Sequence, residues 1–160
     1  DLWLAETLSS VEEARAANQA LADAQNTKPL WLAICLDQDS AETIRSDEHI
    51  HEAIDFAIND SSAEAFLYNC SAIEDIEAAL KATKKYVGDR PLMIGAYPNA
   101  FERAKKALNA NDGLNSMRQD VTPAYFADYA ERWHQAGADI IGGCCGISPE
   151  HIATLKKLIR

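Results

Sequence analysis

Ala138-Asp139-Ile140-Ile141-Gly142-Gly143-Cys144-Cys145-Gly146-Ile147-Ser148-Pro149-Glu150 holds a complete strand-loop-helix junction in one short stretch. Ala138 to Ile141 is an apolar run of strand length. Ser148 is a good helix N-cap, Pro149 suits the first turn, and Glu150 favours the positive end of the helix dipole. Between them, glycines free the backbone to turn. Neighbouring side chains on a regular strand face opposite ways, so Cys144 and Cys145 can reach one ligand only where the strand has ended. A third thiol, Cys70 in Phe66-Leu67-Tyr68-Asn69-Cys70-Ser71, also stands where an apolar run gives way to a helix start. Three thiols at strand ends point to a metal.

The same junction recurs along the chain, and the repetition decides the architecture. Leu2 to Ala5 precedes a helix from about Ser10 with Val11, Ala14, Ala17 and Leu21 on one face. Leu30 to Leu36 leads, after a polar loop, to a helix burying Ile50, Ala53, Ile54, Ala57 and Ile58. Ala65 to Asn69 leads to a helix carrying Ile73, Ile76, Leu80 and Thr83. Leu92 to Ala96 enters the long segment Tyr97 to Thr122, a lid candidate expected to hold a short helix around Phe101 to Leu108. Thr122-Pro123 then starts a helix with Tyr125, Phe126, Tyr129 and Trp133 inward, closed by Gly137 as its C-cap glycine. Ala138 to Ile141 and a last helix with Ile152, Leu155, Leu158 and Ile159 inward complete the set. Strict strand-helix alternation implies parallel strands with right-handed crossovers, and hence a barrel or an open doubly wound sheet. Function in such folds sits at the carboxyl ends of the strands, where Glu6, Asn69, Cys70, Tyr97, Asn99, Cys144 and Cys145 all fall.

The 160 residues can bury a substantial core, and 48% are hydrophobic. A formal charge of -10, from 25 acids against 15 bases, argues against nucleic acid or an anionic membrane as partner. There is no apolar signal segment or membrane-spanning run and there are only four cysteines, so nothing points to an oxidising compartment and the thiols are read as reduced and the location as cytoplasmic. Cys35, inside Leu32-Ala33-Ile34-Cys35-Leu36, reads as a plain buried strand residue. A disulfide between Cys144 and Cys145 is disfavoured by geometry. His49, His51, His134 and His151 read as surface residues, His151 in a first helical turn.

AGADIIGGCCGISPEHI, from Ala136 to Ile152, together with Tyr68-Asn69-Cys70-Ser71, Ala5-Glu6-Thr7 and Tyr97-Pro98-Asn99, resembles the zinc-dependent homocysteine S-methyltransferase family. Arg118-Gln119-Asp120, Thr122-Pro123 and Trp133 resemble its branch that takes methyl groups from S-methylmethionine or S-adenosylmethionine. The resemblance runs along essentially the whole chain and implies an α/β fold, a (β/α)8 TIM barrel of which these five βα units correspond to strands 4 to 8. A closed barrel needs about 250 residues, so residues 1–160 are expected to be the C-terminal portion of a larger enzyme. The family's glycine-rich first-strand loop is absent from these residues, and Asp47 stands where relatives often carry glycine.

The resemblance implies Cys70, Cys144 and Cys145 as ligands of a zinc ion. Three thiolates with one tetrahedral position left open make a catalytic rather than a closed structural site, and coordination removes the proton that a free thiol keeps at neutral pH. Homocysteine would be methylated to methionine, and attack on a sulfonium donor would neutralise charge in a low-dielectric pocket. Glu6 is the candidate for gripping the substrate ammonium, or else a solvated helix-entry carboxylate. Asn69 is a candidate substrate-binding residue that could equally orient Cys70 or end its strand. Tyr97 and Asn99 could line the pocket, or serve the Pro98-Asn99 turn. The isolated chain is expected to be inactive, with open sheet edges that invite self-association. The competing expectation is a non-catalytic barrel fragment whose cysteines are structural or redox-active.

Overall fold

The computed structural model describes residues 1–103 and 115–158, and of 157 and 158 the backbone alone. The apolar runs become five strands: β1 (Trp3–Leu8), β2 (Leu30–Ile34), β3 (Ala63–Ala72), β4 (Met93–Asn99) and β5 (Ile140–Ile141). Every neighbouring pair is parallel, and the order across the sheet is the order along the chain. A doubly wound sheet reverses its strand order at a switch point. An unbroken sequential order is that of consecutive barrel units, so the alternative left open by the alternation resolves towards the barrel.

The helices are α1 (Val11–Asp23), α2 (Ile50–Asp55), α3 (Ile73–Val87), α4 (Pro123–Gln135) and α5 (Pro149–Leu158), with a π-helical turn Phe56–Asp60 continuing α2. Ser10 caps α1 by accepting from the Glu13 N–H, and Thr122 caps α4 by accepting from the Tyr125 N–H. The helices cover one face of the sheet, burying Leu30, Leu32, Ile34, Phe66, Tyr68, Ile94, Phe126 and Trp133. The Tyr68 hydroxyl would be costly in that layer, but it lies 2.6 Å from the Thr83 hydroxyl, which bonds on to the Ala79 carbonyl at 2.7 Å.

The other face carries the register row Leu4, Trp31, Ala65 and Met93 and, above it, Ala33, Leu67, Gly95 and Ile140. Ala33, Ala65 and Leu67 are buried there, with Trp31, Tyr97 and Ile140 packed on them. At the β1 edge the apolar surface is open: Leu2, Trp3 and Leu4 are 36%, 46% and 41% exposed. Among the described residues no helix is long and apolar enough to cross a membrane.

Three expectations are corrected. Phe101–Arg103 are not helical; Phe101 bridges Met117 antiparallel, and the rest of the helix expected to Leu108 lies outside the described residues. Ile152 faces outward at 43% exposure, so α5 packs through Leu155; Leu158 and Ile159 have no described side chain. His151 is buried rather than superficial, because both ring nitrogens are used: Nε2 donates to the Val121 carbonyl at 2.8 Å and Nδ1 accepts from the Ser148 N–H at 3.0 Å.

Residues 115–121 return across the carboxyl ends of the strands, bonded to Ala100 and Glu102 through the Arg118 and Ser116 backbones. Arg118 anchors this strap, meeting Glu74 and Asp120 at 2.7 Å each, while the Tyr125 hydroxyl donates to Glu74 at 2.6 Å. Burial opposes ionisation of Glu74, but the Tyr125 and Arg118 hydrogen bonds outweigh it and hold the carboxyl below its ordinary 4.5. A depressed folded value stabilises the fold above the unfolded value and loses that contribution as pH falls through the folded one. The melting temperature is therefore expected to hold above pH 4.5 and to fall below it. Glu74→Gln should remove about 1 kcal/mol of that acid sensitivity, a modest figure because the pair is partly solvated. An identical acid limb in the variant would rule the strap out as its source.

Candidate metal centre

β3 brings Cys70 to the rim, in a left-handed backbone conformation with φ 47°. The vicinal cysteines arrive differently. β5 has only two residues, but the ladder continues past it, with Gly142 N–H on the Ala96 carbonyl at 2.9 Å and Cys144 N–H on the Pro98 carbonyl at 2.8 Å. Ala100 N–H then bonds the Cys145 carbonyl at 2.8 Å. The Ile147 N–H closes on the Cys144 carbonyl at 3.1 Å, with Gly146 at φ 82° in the third position, the pattern of a type II turn. The turn lets two adjacent thiols share one side of the loop. A methyl at Gly146 would meet the Met117 and Ala100 side chains at 2.8 and 2.9 Å, so the strap packs directly on this turn.

Cys70, Cys144 and Cys145 come together with their sulfurs all within 4.8 Å of one another, and the vicinal pair is 3.8 Å apart. A tetrahedron with metal–sulfur arms of about 2.3 Å has edges of about 3.8 Å. The donor set thus fits a tetrahedral thiolate-binding ion. Burial raises all three thiols above their ordinary value, and hydrogen bonding among the crowded sulfurs raises Cys144 and Cys145 further. Three acids that resist ionising together are suited to a cation that compensates their charge. A cavity of about 100 Å³ opens against Cys70. Its two arginines are engaged: Arg45 reaches the Cys70 carbonyl at 3.4 Å, and Arg103 holds Asp75 at 2.6 Å and the Gln38 carbonyl.

Glu6, in the second half of β1, is exposed and accepts from the Tyr97 hydroxyl of β4 at 3.2 Å. Burial and then the Glu6 carboxylate push the Tyr97 phenol up, so it remains a donor. Asn69 is fully buried. Its Oδ1 accepts from the Thr7 N–H at 3.1 Å and its Nδ2 donates to Thr7 Oγ1 at 2.9 Å. Asn99 accepts from the Phe101 N–H at 3.0 Å, an Asx turn that starts the return of the strap. Cys35 is wholly buried, its thiol pushed up to about 11 by burial, with its sulfur 3.9 Å from Asn69 Oδ1 rather than in the cluster.

Sequence reasoning passed over Thr7 and His151 as site residues. Nothing in propensity marks Thr7, because a β-branched residue at φ 62° runs against it. His151 had a signal in hindsight: a ring three residues after Ser148 can reach back to the helix start, and here it ties α5 and the cysteine turn to the strap. Asp47 has φ 65°, so a conformation natural to glycine is held here by an aspartate.

The homocysteine S-methyltransferase family model matches residues 1–159. The selenocysteine methyltransferase of Astragalus bisulcatus is 28% identical over 99% of this chain and 44% of its own length. Homocysteine S-methyltransferase 2 of Arabidopsis thaliana is 28% identical over 98% of this chain and 44% of its own. The metallated crystal form of the homocysteine methyltransferase MmuM from Escherichia coli superposes with a TM-score of 0.71 at 26% identity, covering 99% of this chain and 45% of that one. The chain thus spans less than half the length of the relatives it matches, and with the family model extending over nearly every residue, it belongs to the homocysteine S-methyltransferase family.

Proposed function

We propose that this chain supplies the metal-binding half of an enzyme that transfers a methyl group to the thiol of homocysteine, giving methionine. The observation that carries the proposal is the convergence of three sulfurs within 4.8 Å at strand ends, in a chain of this family. Cys70, Cys144 and Cys145 would hold zinc, which when bound supplies a thiol-deprotonating Lewis acid at neutral pH. Glu6, an exposed carboxylate held by the Tyr97 hydroxyl, is suited to the substrate ammonium. For Asn69, burial and its paired bonds to Thr7 support the orienting role at Cys70. The donor we place in the sulfonium class, S-methylmethionine or S-adenosylmethionine. The five units would be the fourth to eighth of a closed barrel, with the exposed Leu2, Trp3 and Leu4 at β1 covered by the remaining strands. Free thiols of this kind suit a reducing compartment such as the cytoplasm.

The test is an assay of methionine formation from homocysteine and S-methylmethionine by the full protein, before and after chelation. Activity lost with the metal and restored by zinc is the expected result. A full protein that holds stoichiometric zinc yet methylates no thiol substrate, from either sulfonium donor, would overturn the proposal.

A further inference from the structure

We propose that Thr7 is a positioning residue of the metal centre: held by Asn69, its hydroxyl bonds the Cys70 sulfur and sets that ligand against the vicinal pair. The inference rests on the metal-binding role proposed above and deepens it.

Thr7 and Cys70 are both left-handed, at φ 62° and 47°. For a β-branched residue this is a steric outlier, and such outliers persist only where their surroundings over-determine them. Both lie at breaks in the ladder. The β1–β2 register shifts between Ala5 and Leu8, and the β3–β4 register shifts between Asn69 and Ala72. Irregularities of this kind re-aim side chains near functional sites. β1 and β3 are not neighbours in the sheet, since β2 lies between them, so no ladder bond joins Thr7 to Asn69. The link is made by the buried amide instead, with Thr7 N–H on Oδ1 at 3.1 Å and Nδ2 on Thr7 Oγ1 at 2.9 Å.

The direction of these bonds fixes what the hydroxyl can do. Because Thr7 Oγ1 accepts from the amide, its own hydrogen is free for an acceptor, and Cys70 Sγ lies at 4.0 Å, the outer reach of a bond to sulfur. The chain of donation therefore runs from Asn69 through Thr7 to the sulfur. Partners that hold a metal ligand from behind limit its rotation and tune its charge. The geometry is that of a latch closing across the end of β2 and terminating on a ligand atom.

The experiment measures the zinc dissociation constant by competition with a chromophoric chelator, and the melting temperature of the metal-free form, in the full protein. Thr7→Val keeps the branched shape and loses the hydroxyl; a loss of about 10- to 100-fold in zinc affinity is expected. Thr7→Ser keeps the hydroxyl and should stay within about threefold of the parent. Thr7→Gly accepts φ 62° without strain, which offsets the loss of the Asn69 partner, so its metal-free form should melt near the parent while binding zinc about tenfold or more weakly. A residue that merely closes a bulge would give the first of those effects without the second. Parental affinity in Thr7→Val and Thr7→Gly overturns the proposal, and so does a serine variant as weak as the valine one. A parent that binds no zinc sinks the metal-binding role itself, and that result is visible before any variant is compared.

Discussion

Replacing any one of Cys70, Cys144 and Cys145 by alanine is expected to abolish stoichiometric zinc binding at the proposed site. Zinc binding by thiolate-rich sites is worth about 10–16 kcal/mol, so one of four ligands accounts for about 3–4 kcal/mol, or two to three decades of affinity. The three substitutions should be equivalent in kind, because all three sulfurs lie within 4.8 Å of one another and each would supply one ligand. Cys35→Ala is the internal control. Its thiol is buried beside Asn69 and outside the cluster, so the variant should keep its metal at a cost of about 1 kcal/mol in stability. Metal analysis by atomic spectroscopy on the four purified variants decides the matter. Full zinc occupancy in all three cluster variants would remove the site from the protein's chemistry.

The second large effect is expected outside the cysteine cluster, in the ladder that leads to it. Gly95 pairs with Ile140 across the β4–β5 ladder, and a methyl placed on it would sit 2.2 Å from the Ile140 carbonyl oxygen and 2.8 Å from its Cβ. Backbone cannot swing aside as a flexible side chain can, so Gly95→Ala must push β5 away from β4. β5 has two residues, and the bonds beyond it from Gly142 to Ala96 and from Cys144 to Pro98 depend on the same register. We expect a loss of about 3 kcal/mol, a fall of about 6–12 °C in melting temperature, with zinc affinity reduced in the fraction that stays folded. A melting temperature within about 2 °C of the parent would show that the two strands have slack the structure does not reveal.

How far the fold could be read in the residues follows from which forces shaped each part. Strand-helix alternation is a local pattern, so all five units, the Ser10 and Thr122 caps and the buried faces of α1, α3 and α4 were legible. Whether the sheet reverses its order is a long-range property that no local pattern encodes; the family resemblance implied the barrel order, and the observed pairing has it. The ends of β3 and β4 were placed too early, since they run to Ala72 and Asn99 as left-handed residues and register shifts prolong pairing through polar sequence, while β2 stops at Ile34, short of the expected Leu36. The π-helical turn at Phe56–Asp60 has no signature that sets it apart from a continuing α-helix.

At the site, residue types carried more than spacing. Two adjacent thiols after a strand are informative because a turn is needed to use both, and the hydrogen-bonded turn at Cys144 to Ile147 is there. Glu6 and Tyr97 were each named as pocket candidates, but that they touch was invisible across 91 positions. His151 was misplaced to the surface because a histidine in a first helical turn is usually solvated, and the Val121 carbonyl that claims its Nε2 is 30 residues away.

The sulfurs come from the third strand and from beyond the fifth, while the residue that braces the first of them comes from β1. In a sheet laid down strictly in chain order, everything up to β4 can condense while the ribosome is still at work, yet the cysteine trio does not exist until the final strand docks. An ion held by all three sulfurs, as proposed, would therefore enter only after β5 has docked, and its presence would report that the five strands are seated together.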